Sequence, residues 1–183
     1  SIRTVLTRYV TPHKYLPAGD FSFRDWLEAG HGSLWITWRE DMLEALKPLI
    51  SCWTDVTCVS ILSLPEEECR PIHLVLDEID SLEKLNYMTA AATKGRKHGL
   101  RILAGLQSLA QLDDVYGKED AMTLRNCFRN VALFGIGPLD SYTAEQFSKA
   151  LGTHDVVRKR ISHSGAKRST ASVADKDERL VRA

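Results

Sequence analysis

The sequence reads His73-Leu74-Val75-Leu76-Asp77-Glu78-Ile79-Asp80 at the point that decides the fold. A short apolar run ends there in two adjacent carboxylates. We interpret residues 72–76 as a central parallel strand, apolar on both faces because helices would cover each side. In open α/β sheets, ligands bind beyond the carboxyl ends of the strands. Asp77 and Glu78 are therefore predicted to face a nucleoside-triphosphate site.

The complementary half of such a site is missing from these residues. No Gly-x-x-x-x-Gly-Lys-Ser/Thr loop occurs in the 183 residues, and the chain begins at Ser1 without an initiator Met. Such a loop cradles the phosphates of a bound nucleotide. We therefore expect the chain to be a partial domain that lacks the Walker A strand and loop.

Composition is that of one ordinary globular domain. Hydrophobic residues make up 44%, charged residues 26%, and the formal net charge is zero, so charge alone favours neither a nucleic-acid nor a membrane partner. The longest apolar stretches fall far short of the roughly 20 residues that span a bilayer. The four cysteines form no Cys-x-x-Cys pair and the six histidines are scattered, which favours reduced thiols over a zinc site.

Strands and helices are predicted to alternate, which is typical of an α/β fold with a mostly parallel sheet. The predicted strands are 34–38, 72–76, 101–106 and 131–135. The predicted helices are 21–29, 42–64 with a kink or break at Pro48, 81–97, 108–116, 118–128 and 143–151. We divide the chain into a lead-in (1–20), a main domain (21–152) and a basic, partly mobile tail (153–183) with room for a late strand.

The two carboxylates suggest separate roles in phosphoryl transfer. Asp77 is the candidate for holding Mg²⁺ through water, and Glu78 for orienting and deprotonating the attacking water. The alternative is that this acidic stretch only caps the following helix. Asp80 and Glu83 already have the spacing of a capping box for that helix, which leaves Asp77 and Glu78 without a structural explanation.

Two further polar residues are candidates for the same site. Gln107 follows strand 101–106 and could contact the γ-phosphate or the attacking water, although it could also simply begin a helix. Arg96 could stabilise the charge on the transferring phosphoryl group, in its own or a neighbouring subunit. The alternative for Arg96 is a cation at a helix carboxyl end. The four tryptophans are predicted to pack in the core, with stacking on single-stranded nucleic acid as the alternative.

These motifs together resemble the TraD/TraG/TrwB coupling proteins of bacterial conjugation and type IV secretion, most closely the TrwB branch. The resemblance covers residues 20–160. The blocks that carry it include Leu74-Val75-Leu76-Asp77-Glu78, Ser81-Leu82-Glu83-Lys84-Leu85, Thr93-Lys94-Gly95-Arg96-Lys97, Gly105-Leu106-Gln107-Ser108 and Gln111-Leu112-Asp113-Asp114-Val115-Tyr116-Gly117. Several such blocks in order are more specific than any one of them.

The resemblance implies a RecA-like P-loop ATPase that uses ATP and Mg²⁺. It implies a homo-hexamer on the cytoplasmic face of the bacterial inner membrane, anchored by an N-terminal transmembrane segment that these residues lack. The implied partners are DNA, relaxase and other relaxosome proteins, and secretion-channel proteins. Asp77 and Glu78 would take the Walker B roles, Gln107 that of a polar sensor and Arg96 that of a finger reaching the next subunit's nucleotide.

Alone, the chain is expected to be a monomer or weak dimer and not to hydrolyse ATP. Two other functions stay open at this stage. One is a non-catalytic module that binds DNA or relaxosome proteins through the basic tail and the cluster Lys94-Gly95-Arg96-Lys97. The other is a related DNA pump of the chromosome-partitioning type, against which the block Gly105-Leu106-Gln107-Ser108 argues mildly.

Overall fold

The structure is a computed structural model that describes residues 16, 18–66, 70–164 and 168–179. Most of the predicted lead-in (1–20) lies outside these residues. The chain forms two compact units, Ser1–Val131 and Ala132–Ala183, which we describe separately. The elements are α1 (Phe23–Ala29), α2 (Leu43–Leu62), β1 (Ile72–Leu76), α3 (Met88–Lys94), β2 (Leu100–Ala104), α4 (Leu109–Tyr116), α5 (Lys118–Cys127), α6 (Ser141–Leu151), β3 (Thr153–Ser164) and β4 (Arg168–Arg179).

The first unit is built around the parallel pair β1 and β2. Ile72 pairs with Leu100 and the register runs to Leu76 with Ala104, so both strands end at the same edge. One face of the pair contributes to the core. The opposite face leaves Val75 63% and Leu103 67% exposed. The prediction that β1 is buried on both faces is therefore wrong in the described part of the chain, where no layer covers that face.

Two predicted strands do not form. Residues 34–38 and 131–135 are irregular, because neither pairs with another strand in the described residues. Trp35 is 85% exposed and Phe134 is 99% exposed. Trp38 packs at the edge of the core, so the prediction that all four tryptophans are core residues fails at Trp35.

Helix α2 is the long core helix of the first unit. It runs through Pro48 without a break, and its buried side chains Ile50, Cys58 and Ile61 lie in the core cluster. Among the described residues, the helical stretch Glu40–Leu62 has the length and apolar composition to cross a membrane. The prediction that every apolar stretch is too short was thus wrong by that criterion. The burial of its side chains against the other elements is that of a core helix.

The helix predicted over 81–97 begins later, at Met88, and its last turn, Gly95–His98, is a 3-10 helix. The predicted capping box of Asp80 and Glu83 does not form: α3 has Tyr87 as its N-cap residue, with no side-chain cap bond. Contacts with α2 hold the preceding segment instead. Ser51 Oγ of α2 accepts a hydrogen bond from the Glu83 backbone N–H at 3.1 Å.

The second unit combines α6 with a hairpin. The Asp140 carboxylate caps α6 by accepting from the Thr143 backbone N–H at 3.0 Å. Strands β3 and β4 pair in an antiparallel ladder from Thr153 with Arg179 to Ser164 with Arg168. The late strand considered for the tail is therefore present, together with a second strand that pairs with it.

Candidate active site

The chain turns sharply where β1 ends. Glu78 has φ 58° and ψ 64°, and it is the one non-glycine residue with positive φ in the described part of the chain. A left-handed backbone costs a non-glycine residue about 1–2 kcal/mol. Such strain persists where the surroundings hold it, commonly at functional sites. The 3-10 turn Ile79–Ser81 follows at once.

Backbone hydrogen bonds from Gly105 hold this turn against the end of β2. The Gly105 N–H donates to the Leu76 carbonyl at 2.8 Å, and the Ile79 N–H donates to the Gly105 carbonyl at 3.0 Å. A Cβ at position 105 would lie 3.3 Å from Asp77 Oδ1. Glycine here leaves the space that the Asp77 carboxylate occupies.

The same turn brings Glu78 and Gln107 together. Gln107 Nε2 donates to Glu78 Oε1 at 2.7 Å, although the two residues lie 29 positions apart. Ser81 Oγ donates to Glu78 Oε2 at 3.2 Å. Asp77, Glu78 and Gln107 are all exposed, so the group faces solvent at the carboxyl edge of the sheet. Three of the four sequence-predicted residues therefore lie at one site.

Arg96, the fourth predicted residue, lies elsewhere. It sits in the 3-10 turn before β2, whereas Asp77 follows β1, and β1 and β2 are parallel. The two residues are consequently at opposite edges of the sheet, separated by the length of a five-residue strand, about 16 Å at 3.3 Å per residue. The Arg96 side chain is exposed. Within one chain, Arg96 does not join the carboxylates.

The donor set suits a hard cation held by few protein oxygens. Mg²⁺ sites commonly use one or two carboxylates together with waters and substrate phosphates. Asp77 fits this pattern, since its exposed carboxylate lies beside the space left by Gly105. In the described residues, no three His, Cys, Asp or Glu side chains are grouped for metal binding. A site shared with phosphate oxygens does not require such a group.

Sequence reasoning missed Ser81 as a member of this site. Its hydroxyl contacts the carboxylate of Glu78, three residues earlier. In a 3-10 turn, side chains at positions i and i+3 eclipse one another. The spacing would have indicated the contact only if the 3-10 turn had been predicted in place of a helix start.

Comparison with known proteins decides the family. Residues 1–181 match the family described as the type IV secretion-system coupling protein DNA-binding domain. The chain belongs to the type IV secretion-system coupling proteins. Coupling protein TraD of Escherichia coli (strain K12) is 33% identical over an alignment of length 144 that covers 73% of this chain and 20% of TraD. The resemblance stated from the sequence is thereby confirmed.

Solved coupling proteins share the fold. The unbound structure of TrwBdeltaN70 is 51% identical with a TM-score of 0.82 over 98% of this chain, which spans 41% of that chain. TrwB in complex with ADP and Mg²⁺ is 55% identical with a TM-score of 0.78, over 84% of this chain and 38% of that one. The predicted α/β nucleotide-binding fold is confirmed. The chain spans less than half of the relatives that it matches.

Proposed function

We propose that this chain is the portion of a conjugative coupling ATPase that supplies its catalytic carboxylates and phosphate sensor. The whole protein would use ATP hydrolysis to drive relaxase-bound single-stranded DNA into a type IV secretion channel. The observation that carries the proposal is the hydrogen bond from Gln107 to Glu78 at the carboxyl edge of the sheet, beside Asp77. The TrwB complexes with ADP and Mg²⁺ and with the ATP analogue ADPNP support nucleotide chemistry.

In this proposal Asp77 holds the metal through water. When bound, Mg²⁺ offsets the negative charge that builds up on the transferring phosphoryl group. The Asp77 carboxylate is exposed beside Gly105, where a side chain would crowd it. A Cβ at position 105 would require the Asp77 carboxylate to shift by a few tenths of an ångström.

Glu78 orients the attacking water and takes its proton. A general base must come within hydrogen-bond reach of that proton, and the Glu78 side chain is exposed to solvent at the αL turn. Gln107 contacts this base directly at 2.7 Å. The amide carries a second proton that it can donate to the γ-phosphate while it keeps this bond. It would thereby report whether the phosphate is present to helix α4, which begins two residues later.

Arg96 acts on the nucleotide of a neighbouring subunit in a hexameric ring. Its position at the opposite edge of the sheet from Asp77 supports this role, because it is too far to serve its own site. A ring is built from heterologous contacts, in which one surface of each subunit meets a different surface of the next. An arginine supplied in trans can stabilise the transition-state charge.

The remaining parts of the proposal concern the whole protein. We place it at the cytoplasmic face of the bacterial inner membrane, held by an N-terminal transmembrane segment and joined to relaxosome and channel proteins. The isolated chain would not hydrolyse ATP, since its 183 residues contain no Walker A loop. A purified sample of the chain with robust ATP hydrolysis would contradict this part.

The Glu78 assignment is tested by Glu78→Gln in the nucleotide-binding protein that carries this chain. General-base catalysis contributes about 10²–10⁴-fold. We expect turnover to fall by about 100-fold or more while ADP affinity stays within about threefold. Glu119→Gln, at an exposed position in the first turn of α5, is the matched control. Unchanged turnover in Glu78→Gln would remove Glu78 from the mechanism.

The role of Arg96 in trans is tested by mixing two inactive variants. An Arg96→Ala subunit keeps its own Glu78, and a Glu78→Gln subunit keeps its own Arg96. If Arg96 acts across the interface, mixed rings contain some complete sites and regain part of the turnover. Mixtures that form rings but recover nothing would show that Arg96 does not act in trans.

A second function, DNA binding by this chain itself, is favoured by the description of the matched family as a DNA-binding domain. Residues 153–183 contain eight Lys/Arg and four Asp/Glu, an excess of positive charge. Binding through phosphate contacts should weaken steeply with salt. Salt-dependent DNA binding that disappears without residues 153–183 would support a module of this kind. Absence of binding by the intact chain would count against it.

A further inference from the structure

The carboxylate of Glu78 is held by two donors, one for each oxygen. Gln107 Nε2 donates to Oε1 at 2.7 Å, and Ser81 Oγ donates to Oε2 at 3.2 Å. We propose that Ser81 is a positioning residue for the catalytic base and forms, with Gln107, a two-point clamp on Glu78. This inference rests on the proposed function of Glu78 and assigns a role to a side chain that this function leaves unused.

The backbone places Ser81 for this task. The Ser81 N–H donates to the Glu78 carbonyl at 2.9 Å, which closes the 3-10 turn. Positions i and i+3 eclipse in such a turn, so the hydroxyl lies over the carboxylate. From its αL backbone, the Glu78 side chain reaches the Gln107 amide. One donor therefore comes from the turn after β1 and the other from the end of β2.

Two donors define an orientation that one donor leaves open. The terminal torsion of a glutamate is broad, so a carboxylate held at one oxygen can swing about that bond. A second donor on the other oxygen fixes the plane of the group. An ionised carboxylate offers about four lone-pair sites. The clamp uses one on each oxygen, and the others remain available to a water.

The test compares Ser81→Ala with Ser81→Thr in the nucleotide-binding protein. Removal of the hydroxyl lets the base swing, so we expect kcat to fall by about tenfold with KM within about twofold. Threonine keeps the hydroxyl and should stay within about threefold of the unaltered kcat. The backbone bond that closes the turn remains in both variants, so neither should unfold it.

A second measurement detects the hydrogen bond from Gln107 to Glu78 independently of catalysis. In the 183-residue chain, the Gln107 side-chain amide protons are observed by ¹⁵N–¹H NMR and identified by their loss in Gln107→Ala. Ser81→Ala should move the signal of the donated proton, because its acceptor is no longer fixed, and Ser81→Thr should leave it nearly in place. Identical Gln107 signals in Ser81→Ala and the unaltered chain would overturn the proposal.

The kinetic outcomes separate this proposal from the one on which it rests. If Glu78→Gln is inactive while Ser81→Ala keeps its full kcat, the clamp fails and the base assignment stands. An increase in kcat, or a rise in KM alone, also overturns positioning by Ser81. If Glu78→Gln keeps its turnover, the proposed function fails. Ser81 then has no catalytic base to position, so the role proposed for it is also refuted.

Discussion

Replacement of Asp55 by alanine tests how the fold holds the segment between the Asp77-Glu78 pair and α3. Asp55 lies on α2, and its carboxylate accepts three hydrogen bonds from the end of this segment. Oδ2 accepts from the Asn86 N–H at 3.0 Å and from Asn86 Nδ2 at 3.3 Å, and Oδ1 accepts from the Tyr87 N–H at 3.0 Å. Alanine removes all three acceptor contacts at once.

The size of the effect follows from these contacts. A hydrogen bond to a charged group contributes about 1.5–3 kcal/mol, and less where water can replace the lost partner. Asn86 and Tyr87 are exposed, so we take about 1 kcal/mol for each backbone bond and expect a total loss of about 2 kcal/mol. Asp55→Asn keeps one acceptor oxygen and should lose about half of that value.

The measurement is urea unfolding of the chain. A change in the midpoint reports a change in stability, provided that the slope of the unfolding free energy against urea concentration stays the same. Asp114→Ala, an exposed position on α4, is the control and should stay within about 0.5 kcal/mol. Amide hydrogen exchange at Asn86 and Tyr87 should accelerate in Asp55→Ala. Ordinary surface substitutions change the free energy of unfolding by less than about 0.5 kcal/mol. If Asp55→Ala changes it by no more than that, Asp55 does not hold the segment.

Three further predictions concern single groups. Burial raises the pKa of the Cys58 thiol to about 12, and the charge of Asp55 adds to the rise. Iodoacetamide at pH 8 should therefore modify the exposed Cys52 and leave Cys58 unmodified. Peptide mass spectrometry measures the modification of each cysteine. The stability linked to this thiol is complete below its ordinary pKa of 9.0 and is lost as pH rises towards 12. The hydrogen bond from Lys97 lowers the pKa of Glu66 from its ordinary value of 4.5. The unaltered chain should therefore be more stable than Glu66→Gln above pH 4.5, and the difference should vanish in acid. Urea unfolding at a series of pH values measures it. If Asp77 binds the metal as proposed, Gly105→Ala should lower ATP turnover of the whole protein about fivefold, because the new methyl group crowds the Asp77 carboxylate. Equal turnover would show that the carboxylate tolerates the methyl group.

The sequence predicted the ends of those helices that begin or end at a capping residue or a glycine. Ser108 caps α4 by accepting from the Ala110 N–H, and Gly117 separates α4 from α5. The edge of the sheet that carries Asp77 and Gln107 followed from the carboxyl ends of two parallel strands. Each of these inferences needs only the sequence near the residue and the general geometry of α/β sheets.

The predictions that failed depended on distant parts of the chain. Residues 34–38 have strand composition, but a strand also needs a hydrogen-bonded neighbour, which the described residues do not supply. The capping box of Asp80 and Glu83 does not form. Instead, Ser51 and Asp55 of α2 accept hydrogen bonds from the backbone of the segment before α3. The argument that Asp80 already caps a helix, and so leaves Asp77 and Glu78 unexplained, therefore does not hold. The contact between Glu78 and Gln107 replaces it as the support for a site.

The strained turn at Glu78 is maintained by the burial of the residue after it. Ile79 is 2% exposed, and Leu82, on the far side of the turn, is 4% exposed. Full burial of an isoleucine side chain contributes about 1.5–3 kcal/mol, which equals or exceeds most of the range of roughly 1–2 kcal/mol that the αL backbone costs. The bond from the Ile79 N–H to the Gly105 carbonyl adds to that margin. Because Ile79 enters the core only if the chain turns at Glu78, the core itself keeps the exposed carboxylate at the site.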